Sequence, residues 1–338
     1  MSRAYEQILN GEPLTAADAE AAVTDMMEGK LDYERMAALL AIMQYRGETA
    51  EEVTGFARGM INKAATMTIP YPVLDTCGTG GDGSGTYNIS TASAILLSSM
   101  GIAVAKHGNR SVSSKTGSAD VLDHLGIPFQ ATEEETLQRL RDYHLSFFFA
   151  PVYHQAMKHV APVRQKLQHK TIFNLLGPLT NPGGAQRRII GVYSNGAAEK
   201  MAAAALNLGI ERALFVTGED GMDEVTVQGV TNMVEVRGNR IDKFAFHPED
   251  AGLTTMDASA AKADNAEMSA RMIVDTFEGN GTDAATGLLL LNAGAALYVN
   301  GNVETIAQGV DKSRAYLGEP VMKHLKRLQS KEEVSVKQ

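Results

Sequence analysis

The sequence has a single cysteine, Cys77, which excludes an internal disulfide framework and any zinc site built from several cysteines. One thiol fits a reducing cytosol, and no signal peptide precedes the first helical pattern, so a cytoplasmic location is expected. An excess of positive charge is also missing. Lys and Arg number 31 against 40 Asp and Glu, a formal net charge of -9 and a pI near 5.4, which disfavours non-specific binding to nucleic acid or an anionic membrane. No apolar run reaches the roughly 20 residues that a bilayer span needs. The most apolar, 284–299 (AATGLLLLNAGAALYV), is interrupted by Thr286, Asn292 and two glycines and reads as a buried core helix.

What is present is ordinary globular composition, long enough for one large domain or two smaller ones. The first seventy residues read as helical. Thr15 with Asp18 resembles a loose capping box before 16–28, Met36, Leu39, Leu40 and Met43 recur at helical spacing before Gly47, and Thr49 with Glu52 caps a third helix. Such short amphipathic helices bury little alone, so they should pack on the later domain or on another subunit. From Val73 the pattern becomes apolar strand, polar loop, helix. Strands are expected at 73–76, 102–105, 147–150, 189–193 and 213–216, then a hairpin-like region over 224–246. This is an α/β class with a mostly parallel central sheet flanked by helices, in which ligands bind beyond the carboxyl ends of strands. A basic helix-like stretch, 157–170 (MKHVAPVRQKLQHK), and the turn-rich TIFNLLGPLTNP interrupt the rhythm and could return to the helical lobe.

The chain is organised around 75–91, DTCGTGGDGSGTYNIST. Gly78, Gly80, Gly81, Gly83 and Gly85 let backbone N–H groups approach a ligand, hydroxyls follow, and a helix starts at the end, an arrangement suited to phosphate. The literal G-x-G-x-x-G match lacks its context, because no Asp or Glu occurs between Gly83 and Ala119 to hold a dinucleotide ribose. A Walker loop is excluded by the absence of lysine between Gly78 and Thr91.

A second cluster, 106–118 (KHGNRSVSSKTGS), holds three fixed cations, four serines and two glycines, with Ser118 expected to cap the next helix. Alone it could be a solvated basic turn. One strand after the glycine loop it would face the same crevice, and two anion cradles suggest a ligand with two phosphate groups. Glu219, Asp220, Asp223 and Glu224 alone read best as an exposed acidic turn, yet opposite phosphate loops Asp223 and Glu224 are what Mg2+ requires. Arg164 offers planar recognition of a carboxylate, with a surface salt bridge as the plainer reading. His154 and His159 have the same ambiguity, and with no H-E-x-x-H spacing they do not read as metal ligands.

These motifs, with HQAMKHVAPVR and GMDEVT, occur in order across nearly the whole chain, which thereby resembles the anthranilate phosphoribosyltransferase family. The resemblance implies a helical domain at 1–71, joined by part of 156–186, and an α/β domain at 72–338 of nucleoside phosphorylase/phosphoribosyltransferase-like fold. It implies that phosphoribosyl pyrophosphate is held by Gly78, Gly81, Asp82, Thr86, Asn88, Ile89, Ser90 and Thr91, with Lys106, His107, Gly108, Asn109, Arg110, Ser111, Val112, Ser113, Ser114 and Ser118. It also implies Mg2+ ligation by Ser90, Asp223 and Glu224, anthranilate contacts from Gly78, Asn109 and Arg164, catalytic roles for Lys106, Asn109 and Arg164, and a homodimer through the helices. Gln155 departs from the pattern, standing where family members usually have proline. Two other readings are a nucleoside phosphorylase, which would not need the Asp223–Glu224 pair, and a non-catalytic nucleic-acid-binding relative, which would carry a basic surface and degraded motifs.

Overall fold

Why the central strands bury both faces is visible in their side chains. In the computed structural model, which describes residues 3–110 and 117–330, seven strands form one sheet: β1 (Leu74–Gly78), β2 (Val104–Gly108), β3 (Leu145–Phe149), β4 (Arg187–Gly191), β5 (Arg212–Gly218), β6 (Thr231–Arg237) and β7 (Arg240–Phe246). Along β5, Leu214 and Val216 enter one apolar core while Ala213 and Phe215 enter another on the opposite face. That is the period-two alternation of a strand between two helical layers.

The strand order is β3-β2-β1-β4-β5-β6-β7. The first five run parallel, and β6 and β7 add an antiparallel edge. The chain leaves β1 outward through β2 and β3, then returns to place β4 on the other side of β1. The crevice between β1 and β4 is therefore the point where the winding direction reverses, and Gly78 pairs with Gly191 at its rim. The Ile89–Ser99 helix and the buried Asp283–Asn300 helix share the core on one face. The expectation of a buried helix at 284–299 thus holds.

The N-terminal lobe has four helices, Arg3–Leu9, Ala16–Met27, Tyr33–Arg46 and Ala50–Lys63, one more than the capping signals revealed. Thr49 and Glu52 form a complete capping box, and Thr15 caps the second helix. The lobe packs on the later part of the chain: Met36, Leu40 and Phe56 share a core with Val160, Val163, Phe173 and Leu176, and with the helix Asn195–Asn207. The segment around 156–179 packs against the helices of the lobe through short helices of its own, Ala161–Leu167 and Phe173–Leu176.

Every parallel strand is displaced from its expected bounds by one to three residues, and two differences from the sequence reading bear on the site. β2 continues through Lys106 and His107 because both are buried within the sheet. The hairpin begins only at Thr231, leaving 219–230 as a loop that carries the acidic residues over the rim of β4.

Candidate active site

Beyond Gly78 the backbone turns repeatedly, with Gly80, Gly81, Gly83 and Gly85 at φ of 65° to 77°. A side chain there would cost about 1–2 kcal/mol per residue, so glycine is what makes this loop possible. Its far end is tied down, since Tyr87 N donates to Ala261 O at 2.9 Å and Ala263 N to Gly85 O at 2.8 Å. Asn88 then caps the helix, its Oδ1 accepting from Thr91 N at 3.1 Å, which leaves Ile89, Ser90 and Thr91 in the first helical turn. Ser84 and Thr86 share a hydroxyl contact of 3.3 Å inside the loop.

The acidic loop is joined to the glycine loop in both directions. Gly80 N donates to Asp223 Oδ2 at 2.8 Å, and Asp223 N donates to Asp82 Oδ2 at 3.2 Å. Three supports hold it from behind. A Cβ on Gly191 would stand 1.6 Å from the Asp223 carbonyl oxygen, so only glycine admits the loop this close. Buried Asn292 accepts from Val225 N at 2.9 Å and donates to Val225 O at 3.0 Å. Asp220 accepts from Met222 N at 3.0 Å, Thr226 Oγ1 at 2.6 Å and Gln228 Nε2 at 2.7 Å.

Lys106, 2% exposed, donates to Ser90 Oγ at 3.1 Å and to Thr76 O. Burial lowers its pKa, opposed by the nearby Cys77, Asp75 and Glu224. Burial pushes Glu224 up to about 8 against the pull of Lys106, and it raises Asp223 well above the carboxylate range, with Asp82 and Glu224 adding to the effect. Asp82, Asp223 and Glu224 thus crowd one another while only Glu224 is drawn by the Lys106 ammonium, which leaves a deficit of positive charge at the acidic loop. A divalent cation fits that deficit. No cluster of three or more His, Cys, Asp or Glu is arranged to hold a metal among the described residues. Asp223, Glu224 and the Ser90 hydroxyl would hold one only with ligand oxygens and water, as Mg2+ prefers.

At the end of β2, a Cβ on Gly108 would meet Ser118 Oγ at 2.3 Å and Phe147 Cζ at 2.7 Å. Ser118 does not cap its helix. Gly117 occupies the cap position, and the Ser118 hydroxyl instead donates to Asn109 O at 3.2 Å, which fixes the backbone of that loop. Arg110 pairs with Asp120 and Asp123 and lies 5.1 Å from the centroid of Phe129. Ser111, Val112, Ser113 and Ser114 lie outside the described residues. His107 is buried, its Nδ1 3.0 Å from Gly177 O and its backbone N donating to Asp75 Oδ1, and burial pushes its pKa down to about 4.

Arg164 lies 5.6 Å from the Phe173 ring centroid, has no carboxylate partner among the described residues, and has its pKa lowered by burial. No hydrogen bond joins it to Asn109 or to either loop among the described residues. His154 is buried with Nε2 3.1 Å from Thr180 O. Gln155 is exposed, its amide donating to Val152 O at 3.2 Å.

Gly191 and Asn292, which brace the acidic loop, were not legible as such in the sequence. The available signal for Asn292 was a polar amide inside the most apolar helix of the chain. For Gly191 the only signal was a glycine closing a strand.

The profile of a glycosyl transferase family α/β domain matches residues 70–319, and that of a glycosyl transferase family helical bundle domain matches residues 2–64. The chain is 48% identical over 333 residues to anthranilate phosphoribosyltransferase of Shouchella clausii, covering 97% of each chain. It superposes on the anthranilate phosphoribosyltransferase of Thermus thermophilus with a TM-score of 0.90 and 37% identity, covering 97% of this chain and 98% of the other. The Saccharomyces cerevisiae enzyme in complex with PRPP and Mg gives 0.86 at 25% identity, covering 96% of this chain and 95% of that one.

Proposed function

The chain belongs to the anthranilate phosphoribosyltransferase family, and from that membership we infer how its residues divide the reaction. It is a transferase that moves the phosphoribosyl group of 5-phosphoribosyl 1-pyrophosphate to the amine of anthranilate, giving N-(5-phosphoribosyl)anthranilate and pyrophosphate in tryptophan biosynthesis.

The bond from ribose C1 to the diphosphate oxygen breaks, its electron pair leaves with pyrophosphate, and the amine nitrogen forms the new bond and gives up a proton. An aromatic amine is uncharged near neutral pH and attacks directly, so the protein must stabilise the leaving charge and position the amine rather than supply a nucleophile. Glycine-loop N–H groups and Lys106 receive the diphosphate, and the helix start at Ser90 and Thr91 completes the cradle with Gly78, Gly81, Thr86 and Asn88. Mg2+, when bound by Ser90, Asp223 and Glu224, supplies charge neutralisation at the phosphate oxygens. Asp82 keeps the glycine loop on the Asp223 backbone. Arg164 and Asn109 grip the anthranilate carboxylate, with Gly78 beside them. The observation that carries this reading is the Asp223–Glu224 pair, raised in pKa by burial, with Asp223 bonded to a glycine loop one strand from Lys106.

The test is to mix the protein with anthranilate, phosphoribosyl pyrophosphate and Mg2+ and follow loss of anthranilate fluorescence. Turnover is expected, and a folded protein without turnover contradicts the reading. Arg164→Ala should raise the anthranilate KM far more than the donor KM, and equal effects on both would contradict its carboxylate role.

The same reading divides the chain into a helical domain at 1–71 with part of 156–186 and an α/β domain at 72–338. It adds a cytoplasmic homodimer through the helical lobe, where Leu9, Tyr33 and Tyr45 are exposed. No single described helix is long and apolar enough to cross a membrane. Sedimentation equilibrium at twice the monomer mass supports the dimer, and a monomer at micromolar concentration contradicts it.

A further inference from the structure

Lys170 brings a further cation to the crevice. Lys170 ends the basic stretch 157–170 and follows Gln168, which turns the chain at φ 53°. Its Nζ lies 3.6 Å from the ring centroid of Tyr193, the second residue beyond β4. Its Cε is the nearest atom to the glycine loop at Gly81, 3.5 Å from where a Cβ on that residue would stand. The lysine stem thus runs within van der Waals reach of the loop at Gly81.

Among the described residues no carboxylate neutralises this ammonium. Among the described residues Lys170 makes no ion pair, and buried Glu48, the acid whose charge reaches Tyr193, is paired with Lys200 at 3.1 Å. The backbone of Lys170 is steadied from the helical lobe, because the Gln44 amide, turned to its favourable orientation, donates to Lys170 O at 2.9 Å. An ammonium packed on an aromatic face is held in direction without being neutralised, and its remaining donors stay free for a stronger acceptor. The acceptor that the site brings to Gly81 is a phosphate oxygen.

We propose that Lys170 is a further substrate-binding residue of this site, its ammonium taking an oxygen of the donor's diphosphate where that group lies against Gly81. The proposal rests on the family reading, since it needs the glycine loop to hold a diphosphate. Lys106 would meet the ligand from the β2 side and Lys170 from the Tyr193 side, so the diphosphate sits between two cations that reach it from different lobes.

The experiment uses inorganic pyrophosphate with Mg2+ as the calorimetric probe, and separately the steady-state KM of both substrates, on the wild type, Lys170→Met and Lys170→Arg. Replacing the ammonium by methionine keeps the stem over Gly81 and should weaken pyrophosphate roughly tenfold, the worth of one charge-assisted hydrogen bond. The donor KM should rise by a similar factor while the anthranilate KM holds, and arginine should restore most of the loss. Unchanged pyrophosphate affinity and donor KM in Lys170→Met would overturn the proposal. So would a variant that loses only thermal stability, which is what a purely structural lysine on Tyr193 would produce. If the wild type itself binds no pyrophosphate, it is the reading of the whole site that fails.

Discussion

The two loops that meet at the end of β1 are built in opposite ways. The glycine loop has four residues at positive φ, and Gly80, Gly83 and Gly85 have nothing within 4 Å of a would-be Cβ. Its hydrogen bonds lie mainly at its ends and at Asp82. The acidic loop is held at nearly every residue, by Gly191 from below, Asn292 from the side and Asp220 from within. One surface is lightly supported, and the other is braced. A diphosphate carries several equivalent oxygens and tolerates a compliant cradle, whereas two like-charged carboxylates side by side keep their places only if the backbone beneath them is immobile.

Substitutions should separate the two kinds of construction. The largest effect is expected for Gly191→Ala, whose methyl would displace the Asp223 carbonyl and with it both carboxylates. A shift of this kind costs roughly 100-fold in turnover, read by the fluorescence assay at saturating Mg2+. Activity within twofold of the wild type would mean that the acidic loop is not fixed by β4.

Asn292→Leu comes next. It leaves the Val225 N–H and carbonyl without partners, at about 1–3 kcal/mol. It should raise the Mg2+ concentration for half-maximal activity about tenfold, with the anthranilate KM unchanged. A loss of thermal stability with no change in Mg2+ requirement would assign Asn292 to the core alone.

In the lightly supported loop, Gly83→Ala places a methyl in open space at φ 77°. The strain is about 1–2 kcal/mol, so the donor KM should rise several-fold while the Mg2+ requirement stays put. If the Mg2+ requirement moves as well, the loops are one rigid body and the contrast is lost.

The smallest effect lies away from both loops. His107, His154 and His324 are pushed down to about 4, in each case chiefly by burial. The unfolded chain then binds more protons than the folded one below about pH 6.5. Stability is therefore complete above that pH and falls progressively toward pH 4. His324→Gln, at the contact of the C-terminal helix with Ser98, should make the melting temperature less dependent on pH over this window without changing activity near neutral pH. An unchanged slope would show that His324 titrates normally in the folded state.

The contrast between loops also explains what could be read in advance. Strands of alternating or continuous apolar residues, capping pairs such as Thr49 and Glu52, and a glycine density that only a special backbone requires are local signals, and they gave the sheet, the helices and the glycine loop. Asp223 and Glu224 were visible as carboxylates, but alone they looked like a solvated turn. Their partners Gly191 and Asn292 are respectively 32 residues before and 68 residues after them in the chain, by the numbering of Asp223–Gly191 and Asn292–Glu224. Which residue carries a loop from behind depends on sheet order and on the pairing of β1 with β4, which no window of sequence contains. Ser118 failed as a cap for the opposite reason. The local pattern was right, yet a nearby carbonyl of Asn109 took the hydroxyl.

On the proposed function, the two loops bind one diphosphate through a shared divalent cation. Pyrophosphate binding should be measured by calorimetry with and without Mg2+, in the wild type and in an Asp223→Asn, Glu224→Gln double variant. Tight binding only with Mg2+, and only in the wild type, is the expected result. Equal pyrophosphate affinity in both proteins, indifferent to Mg2+, would contradict the account.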